Sequence, residues 1–185
     1  MVSSITSGSS KQRRRSTIQS FFIWLTLGLL IRWVLIEPRW IPSGSMLPTL
    51  QIRDRIMVEK LRVRLHQPLP LNSIVIFRPP LALIKMGYDP SAALIKRIVG
   101  RPGDEIEIKN GQFWRNGRLV EEPWSSVKIN YSMSQITVPE GTVMAMGDNR
   151  NASLDSHLWG PLPMENIIGT AVWCYWPLTR FGPTQ

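Results

Sequence analysis

Glu105-Ile106-Glu107-Ile108-Lys109-Asn110-Gly111-Gln112-Phe113-Trp114-Arg115-Asn116-Gly117-Arg118-Leu119-Val120 decides the fold class. Residues 105–109 alternate polar and apolar, the period of a strand with one buried face. Asn110-Gly111 follows at once, and Asn116-Gly117 ends the next short run. A two-residue type I′ turn needs positive φ at both central positions, which Asn and Gly tolerate best. Two such turns in succession predict a three-stranded meander. Further out, Ile- and Val-rich runs at 55–59, 73–77, 95–100, 143–146 and 168–176 read as strands. No long amphipathic helix is legible after residue 40. The body is therefore expected to be mostly β, irregular and antiparallel, with coil-like loops. The apolar, proline-broken stretch 79–90 reads as a surface loop, either packed on the body or dipping into lipid.

Composition agrees with many short strands and turns. The 185 residues include fifteen prolines, thirteen glycines and eight tryptophans. A chain of this length suits one compact domain plus a tail. The net charge of +9 admits an anionic partner. Most basic residues are scattered, and no helix-turn-helix or zinc-finger spacing occurs. The one tight cluster, Lys11, Arg13, Arg14 and Arg15, abuts an apolar run, so lipid headgroups fit it better than nucleic acid. A single cysteine, Cys174, rules out an intrachain disulfide and reads as a buried structural thiol. With two isolated histidines and one cysteine there is no metal-ligand spacing, and no metal is expected.

The N-terminus predicts an anchor. Residues 1–10 are rich in Ser, Thr and Gly and are expected to be disordered. From Ser16 to Ile31 the chain carries no charge, and Arg32 precedes a last apolar stretch. Residues 18–36 would make about 28 Å of helix at 1.5 Å per residue. That spans a hydrocarbon core if Arg32 snorkels, with Trp33 and Trp40 in the aromatic belt and Pro38 ending the helix. The expected division is a basic cytoplasmic tail at 1–17, a transmembrane helix at 18–37 and an extracytoplasmic domain at 38–185. A cleaved secretory signal is the competing reading, but the bulky residues 33–40 offer no small-x-small cleavage site. A core helix of a soluble protein fits poorly with four clustered positive charges beside it.

Chemistry centres on Pro42-Ser43-Gly44-Ser45-Met46-Leu47-Pro48-Thr49-Leu50, a small-residue loop just after the anchor. A serine hydroxyl needs a base to become a nucleophile. His66 lies in a Pro-flanked polar linker and His157 in a polar loop, and no Asp–His spacing singles out either. Neutral lysine is the other base open to serine. Lys96 stands in the apolar run Leu94-Ile95-Lys96-Arg97-Ile98-Val99-Gly100. Alternation places Lys96 and Ile98 on one face and Arg97 on the other. Burial of that face would lower the lysine pKa, whereas a surface edge strand would leave an ordinary solvated lysine. Ser125 and Lys128 match an S-x-x-K spacing, but in chain that reads as extended, without the companion motifs. Residues 147–160, from Gly147-Asp148-Asn149-Arg150 to Trp159-Gly160, form a polar loop that reads by itself as an Asx-rich turn.

Taken together, the anchor, residues 42–50, the strand near 53–60, residues 96–104 and the loop 147–160 resemble the bacterial-type (type I) signal peptidases in content and order. These are membrane-anchored serine proteases with a Ser/Lys dyad. The resemblance implies Ser45 as nucleophile and Lys96 as general base. It implies an oxyanion hole from the Ser43 hydroxyl and the Ser45 backbone N–H. Ser153 matches a hydroxyl that orients the lysine. Asp148 is placed to pair with Arg97. Asp155 matches an acid whose usual partner is an arginine two residues on, and His157 stands there instead. The implied fold is an antiparallel β catalytic core with a small inserted β region, here about 104–142. The implied partners are the bilayer and the signal peptides of exported preproteins, bound as extended strands and cut after small-x-small sites, with no cofactor needed. Ile41, Pro42, Met46 and Ile95 are the expected lining of the shallow pockets.

Two other function classes compete. A self-cleaving repressor with a Ser/Lys domain would carry an N-terminal DNA-binding domain where this chain has an apolar run. A tethered peptide-binding β module would leave Ser45 unreactive toward serine-directed electrophiles.

Overall fold

The computed structural model describes residues 7–125 and 127–184, with the side chains at 7–16 and 31–34 outside that description. The chain divides into two compact units, residues 1–36 and 37–185. The described part of the first is dominated by one continuous helix, α1 (Ser7–Leu35). It runs through the expected boundary between tail and anchor and includes residues 7–10, which composition assigned to a disordered tail. Extending a helix is far easier than starting one, so residues flanking an apolar helical run join it. Leu35 ends it, ahead of Pro38, because the chain turns extended at Ile36. Among the described residues no helix is long and apolar enough to cross a membrane. The snorkelling Arg32 and the belt residue Trp33 fall outside the described side chains.

The body contains β1 (Ile36–Trp40), β2 (Arg55–Glu59), a one-turn helix α2 (Leu61–Arg64), β3 (Ile74–Phe77), a second short helix α3 (Leu81–Lys85) and β4 (Leu94–Gly100). Then come β5 (Glu105–Lys109), β6 (Gln112–Arg115), β7 (Arg118–Leu119), β8 (Met133–Thr137) and β9 (Thr142–Met146). A short helix α4 (Ser156–Trp159) then precedes β10 (Leu162–Pro163), β11 (Ile167–Trp176) and β12 (Gly182–Pro183). The larger sheet runs β1-β2-β11-β3-β4-β9-β10, with β12 paired to β11. The smaller runs β7-β6-β5-β8. Pairings from β2 to β10 and throughout the smaller sheet are antiparallel.

The meander forms as expected. Asn110 (φ 55°), Gly111 (φ 74°), Asn116 (φ 53°) and Gly117 (φ 71°) all sit in the left-handed region that a type I′ turn demands. The fourth strand of this sheet, β8, was not anticipated. The stretch 79–90 is packed in part: α3 buries Leu83 completely while Leu81 and Met86 stay exposed.

The central strands carry the site. β3 is buried on both faces, with Ile74 and Ile76 in one apolar cluster and Val75 and Phe77 in another. β4 lies between β3 and β9, with Lys96 opposite Val75 and Arg97 opposite Met146. Every residue from Ile95 to Gly100 is buried. Strand alternation therefore sends a lysine and an arginine to opposite covered faces, and each must find a partner or lose its charge. Cys174 is a buried free thiol within β11.

Candidate active site

Lys96 is 5% exposed, and its cross-strand neighbour Val75 and same-face neighbour Ile98 are fully buried. Its Nζ lies 2.8 Å from Ser45 Oγ. The two are 51 residues apart in sequence, and the sheet brings them together. Burial pulls the lysine down to about 8 from its ordinary 10.5, against the opposing pull of Asp155 and then Asp148. An amine so placed loses its proton far more readily than a solvated one. The ordinary surface lysine that the local pattern also allowed is thereby excluded.

Ser45 sits in the turn between β1 and β2, and the loop is tied down from several sides. Ile41 N–H donates to Asp54 O and Arg53 N–H to Ile41 O. Asp54 accepts from Gln51 N–H at 2.8 Å and from Arg180 Nη2 at 2.6 Å. The same Arg180 nitrogen donates to Thr49 O at 2.8 Å. Arg180 escaped the sequence reading: its partner is 126 residues away, and no local pattern signals that. The Ser43 hydroxyl is 3.5 Å from Ser45 Oγ, on the exposed side of the loop.

The loop 147–160 packs against this segment. Asp148 takes Arg97 in a two-pronged pair, Nε to Oδ1 at 2.8 Å and Nη2 to Oδ2 at 2.7 Å, with both side chains buried. Arg97 Nη1 donates to Asn72 O at 2.7 Å, and Trp124 stacks against the guanidinium at 4.3 Å. Asn149 N–H donates to Ser45 O at 3.1 Å, and its side-chain amide donates to Gly44 O at 3.2 Å. Gly147 allows this approach, since a Cβ there would lie 2.5 Å from Ser45 O and 2.3 Å from Ser153 Oγ. Arg150 is buried on Glu122 and on Gly147 O, a second ion pair that the sequence did not reveal. Burial pushes the Glu122 carboxyl up against the lowering effect of Arg150.

Asp155 is fully buried. Its Oδ2 accepts from Gly147 N–H at 2.9 Å and its Oδ1 lies 2.6 Å from His157 Nδ1. It also accepts from His157 N–H as the cap of α4. Burial alone would raise this carboxyl, but the His157 ring, then the nearby Ser153 hydroxyl and the Gly147 N–H, hold it below its ordinary value. Tyr131 stacks on the imidazole at 4.0 Å, which covers the outer face. His157 thus pairs with Asp155 at the position where the resemblance has an arginine as the usual partner. Ser153 Oγ is buried and makes no hydrogen bond of ordinary geometry among the described residues. The hydroxyl that the resemblance assigns to orienting Lys96 forms no hydrogen bond with it among the described residues.

An open cleft of about 500 Å³ holds the pair, lined in part by Pro42, Ser43, Ser45, Ile95, Lys96 and Leu154. Leu83 and Tyr88 close one side. Of the expected pocket residues, Pro42 and Ile95 line this cleft. Ile41 and Met46 do not: they are 2% and 0% exposed, packed in the core with Ile56 and Val58. Flanking a small-residue motif with apolar side chains serves the core as readily as a pocket, and here the core takes them. Among the described residues no cluster of three His, Cys, Asp or Glu side chains could hold a metal.

The profile of the signal peptidase, peptidase S26 family matches residues 14–176. A Synechocystis sp. protein named probable signal peptidase I-1 is 43% identical over 168 residues, 91% of this chain and 85% of that one. The signal peptidase I of Leptolyngbya laminosa is 39% identical over 165 residues, 89% of this chain and 81% of that one. Thylakoidal processing peptidase 1 of Arabidopsis thaliana is 42% identical over 166 residues, and this chain spans 48% of its length. A crystal structure of a signal peptidase I from Enterococcus faecalis aligns with 56% of this chain and 97% of its own, at TM-score 0.44 and 24% identity. With most of its length matched by one family profile, this chain belongs to the signal peptidase, peptidase S26 family.

Proposed function

We propose that the chain is a membrane-bound serine endopeptidase that removes N-terminal signal peptides from exported preproteins after small-x-small sites. The observation that supports this reading most directly is the 2.8 Å approach of a buried, pKa-lowered Lys96 amine to the Ser45 hydroxyl. As an ammonium, Lys96 donates to Oγ. Once neutral, its lone pair accepts the hydroxyl proton while Oγ bonds to the scissile carbonyl carbon. The carbonyl electrons move onto oxygen, where the Ser45 N–H and the Ser43 hydroxyl donate to the oxyanion. The Lys96 ammonium then protonates the leaving nitrogen as the C–N bond breaks. Water repeats the cycle on the acyl-enzyme: Lys96 takes its proton, the new acid departs and Ser45 regains its hydrogen. One amine carries every proton, so the sequence closes without a metal or cofactor.

The substrate lies in the cleft as an extended strand, with small side chains toward Pro42 and Ile95. In this reading α1 provides the anchor, with tail 1–17 in the cytoplasm, residues 18–37 in the bilayer and 38–185 on the opposite side. Its support is the charge-free stretch 16–31 following four basic residues. Release of the full chain from membranes by alkaline carbonate would overturn the anchor. For the chemistry, Ser45→Ala and Lys96→Ala should each abolish cleavage of a preprotein while leaving the fold intact. Lys96→Arg should fail too, because a guanidinium keeps its proton. Persistent processing by purified Ser45→Ala protein refutes the reading.

A further inference from the structure

We infer that Asn149 is a positioning residue that aims the Ser45 N–H at the developing oxyanion. The inference rests on the proposed Ser45 chemistry and adds to it the device that orients one of its donors. Asn149 occupies the N-cap position of the one-turn 3₁₀ helix Arg150–Ala152. An asparagine there ordinarily caps its own helix by accepting from a nearby backbone N–H. This one makes no such bond. Its side chain reaches across 105 residues of sequence and donates to Gly44 O at 3.2 Å. Its backbone N–H donates to Ser45 O at 3.1 Å. One residue therefore holds two consecutive carbonyls of the nucleophile loop.

The consequence follows from peptide planarity. The Gly44–Ser45 bond is trans, since among the described residues the cis bonds lie at Leu47–Pro48 and Trp176–Pro177. In a trans peptide the carbonyl and the next N–H point in opposite directions within one plane. Fixing Gly44 O toward Asn149 turns the Ser45 N–H away from the loop 147–160. Holding Ser45 O as well stops the peptide plane from rocking about either end. Leu47 N–H also donates to Gly44 O at 3.2 Å, but it belongs to the same loop and moves with it. Asn149 supplies the outside reference, carried by a segment that the Arg97–Asp148 pair locks to β4. It also lines the cleft beside Ser45, so a wrongly aimed peptide would be felt at the reacting carbonyl.

The test uses the full chain in detergent with a peptide bearing a small-x-small site, and a peptide boronic acid that forms a tetrahedral adduct on serine. Asn149→Ala should lower kcat about tenfold to a hundredfold, less than or equal to the usual loss of a whole oxyanion donor. KM should stay within about twofold, and the boronate Ki should weaken by the same factor as kcat. A fall in folded fraction would lower kcat without moving Ki, so it is told apart. Asn149→Asp keeps the side-chain volume but presents no donor to Gly44 O, and should lose at least as much kcat. Wild-type kcat and Ki in either variant overturns the inference. So does a kcat loss without a matching change in Ki. Ser45→Ala in the same assay keeps the two ideas separate: if that variant still cuts, the enzyme reading has failed, whatever Asn149 does.

Discussion

Replacing Lys96 by methionine should make this protein more stable at neutral pH, by an amount that vanishes in alkali. The lysine falls from 10.5 to about 8 because burial disfavours its charge. That gap corresponds to about 3 kcal/mol at 1.36 kcal/mol for each pH unit. Below pH 8 the amine is charged both folded and unfolded, and the folded state carries the whole penalty. Between about 8 and 10.5 the folded protein has lost the proton and the unfolded chain has not. The unfolded state then binds more protons, so wild-type stability rises with pH across that window. Above it both states are neutral and the penalty is gone. Methionine has similar length, fills the same space beside Val75 and Ile98, and has no charge to desolvate.

Lys96→Met should therefore exceed wild type by about 3 kcal/mol at pH 6–7, or roughly 6–12 °C in Tm for a body of this size. The difference should shrink steadily from pH 8 to pH 10.5. Urea unfolding followed by tryptophan fluorescence reads this directly, with eight tryptophans as reporters. Equal or lower stability of the variant at pH 7, with no change through pH 10, would mean that the amine is solvated. The base would then be missing and the mechanism with it.

Other expectations are simpler. In the free enzyme kcat/KM should rise with pH to a midpoint near 8 as Lys96 deprotonates, and a flat profile from pH 6 to 9 would contradict that assignment. Arg97→Ala strands the buried Asp148 carboxylate and should cost about 3–5 kcal/mol in denaturant unfolding, whereas a loss under about 1 kcal/mol would show the pair to be solvated. Gly147→Ala places a Cβ against the backbone oxygen of Ser45, so peptide cleavage should drop sharply, and full activity would mean that the two segments separate without consequence.

What could be read from the sequence had local causes. Asn-Gly pairs announce turns because few other dipeptides tolerate positive φ twice, and Asn110-Gly111 and Asn116-Gly117 both adopt it. The charged pair at 96–97 stood out because a buried strand seldom holds charge. What stayed hidden was non-local. Arg180–Asp54 and Arg150–Glu122 join residues 126 and 28 positions apart, and neither side chain looks unusual in its own segment. β8 pairs with β5 through a Ser- and Gln-containing strand with no fully buried residue, so its period carried little signal. Ile41 and Met46 flank the motif as pocket residues would, yet both are buried in the core, because apolar character alone cannot separate a pocket wall from the core under it.

The buried charges around Ser45 do not make sense as a source of stability. A buried ion pair such as Arg97–Asp148 gains little over apolar residues of the same volume, since desolvation offsets the attraction. What such a pair does enforce is pairing, because any other arrangement leaves a charge stranded. Arg97 can be satisfied only if residue 148 docks beside β4, and Asp155 only if Gly147 N–H and His157 turn toward it. Those same dockings bring Asn149 and Gly147 onto the carbonyl of Ser45. Lys96 differs: its amine is aimed at the Ser45 hydroxyl, with no carboxylate in hydrogen-bond contact among the described residues. A carboxylate on its Nζ would hold the proton and defeat a base. The neighbouring pairs absorb the acidic groups of the loop, so that the loop can be fixed close to Lys96 while leaving its amine free to discharge.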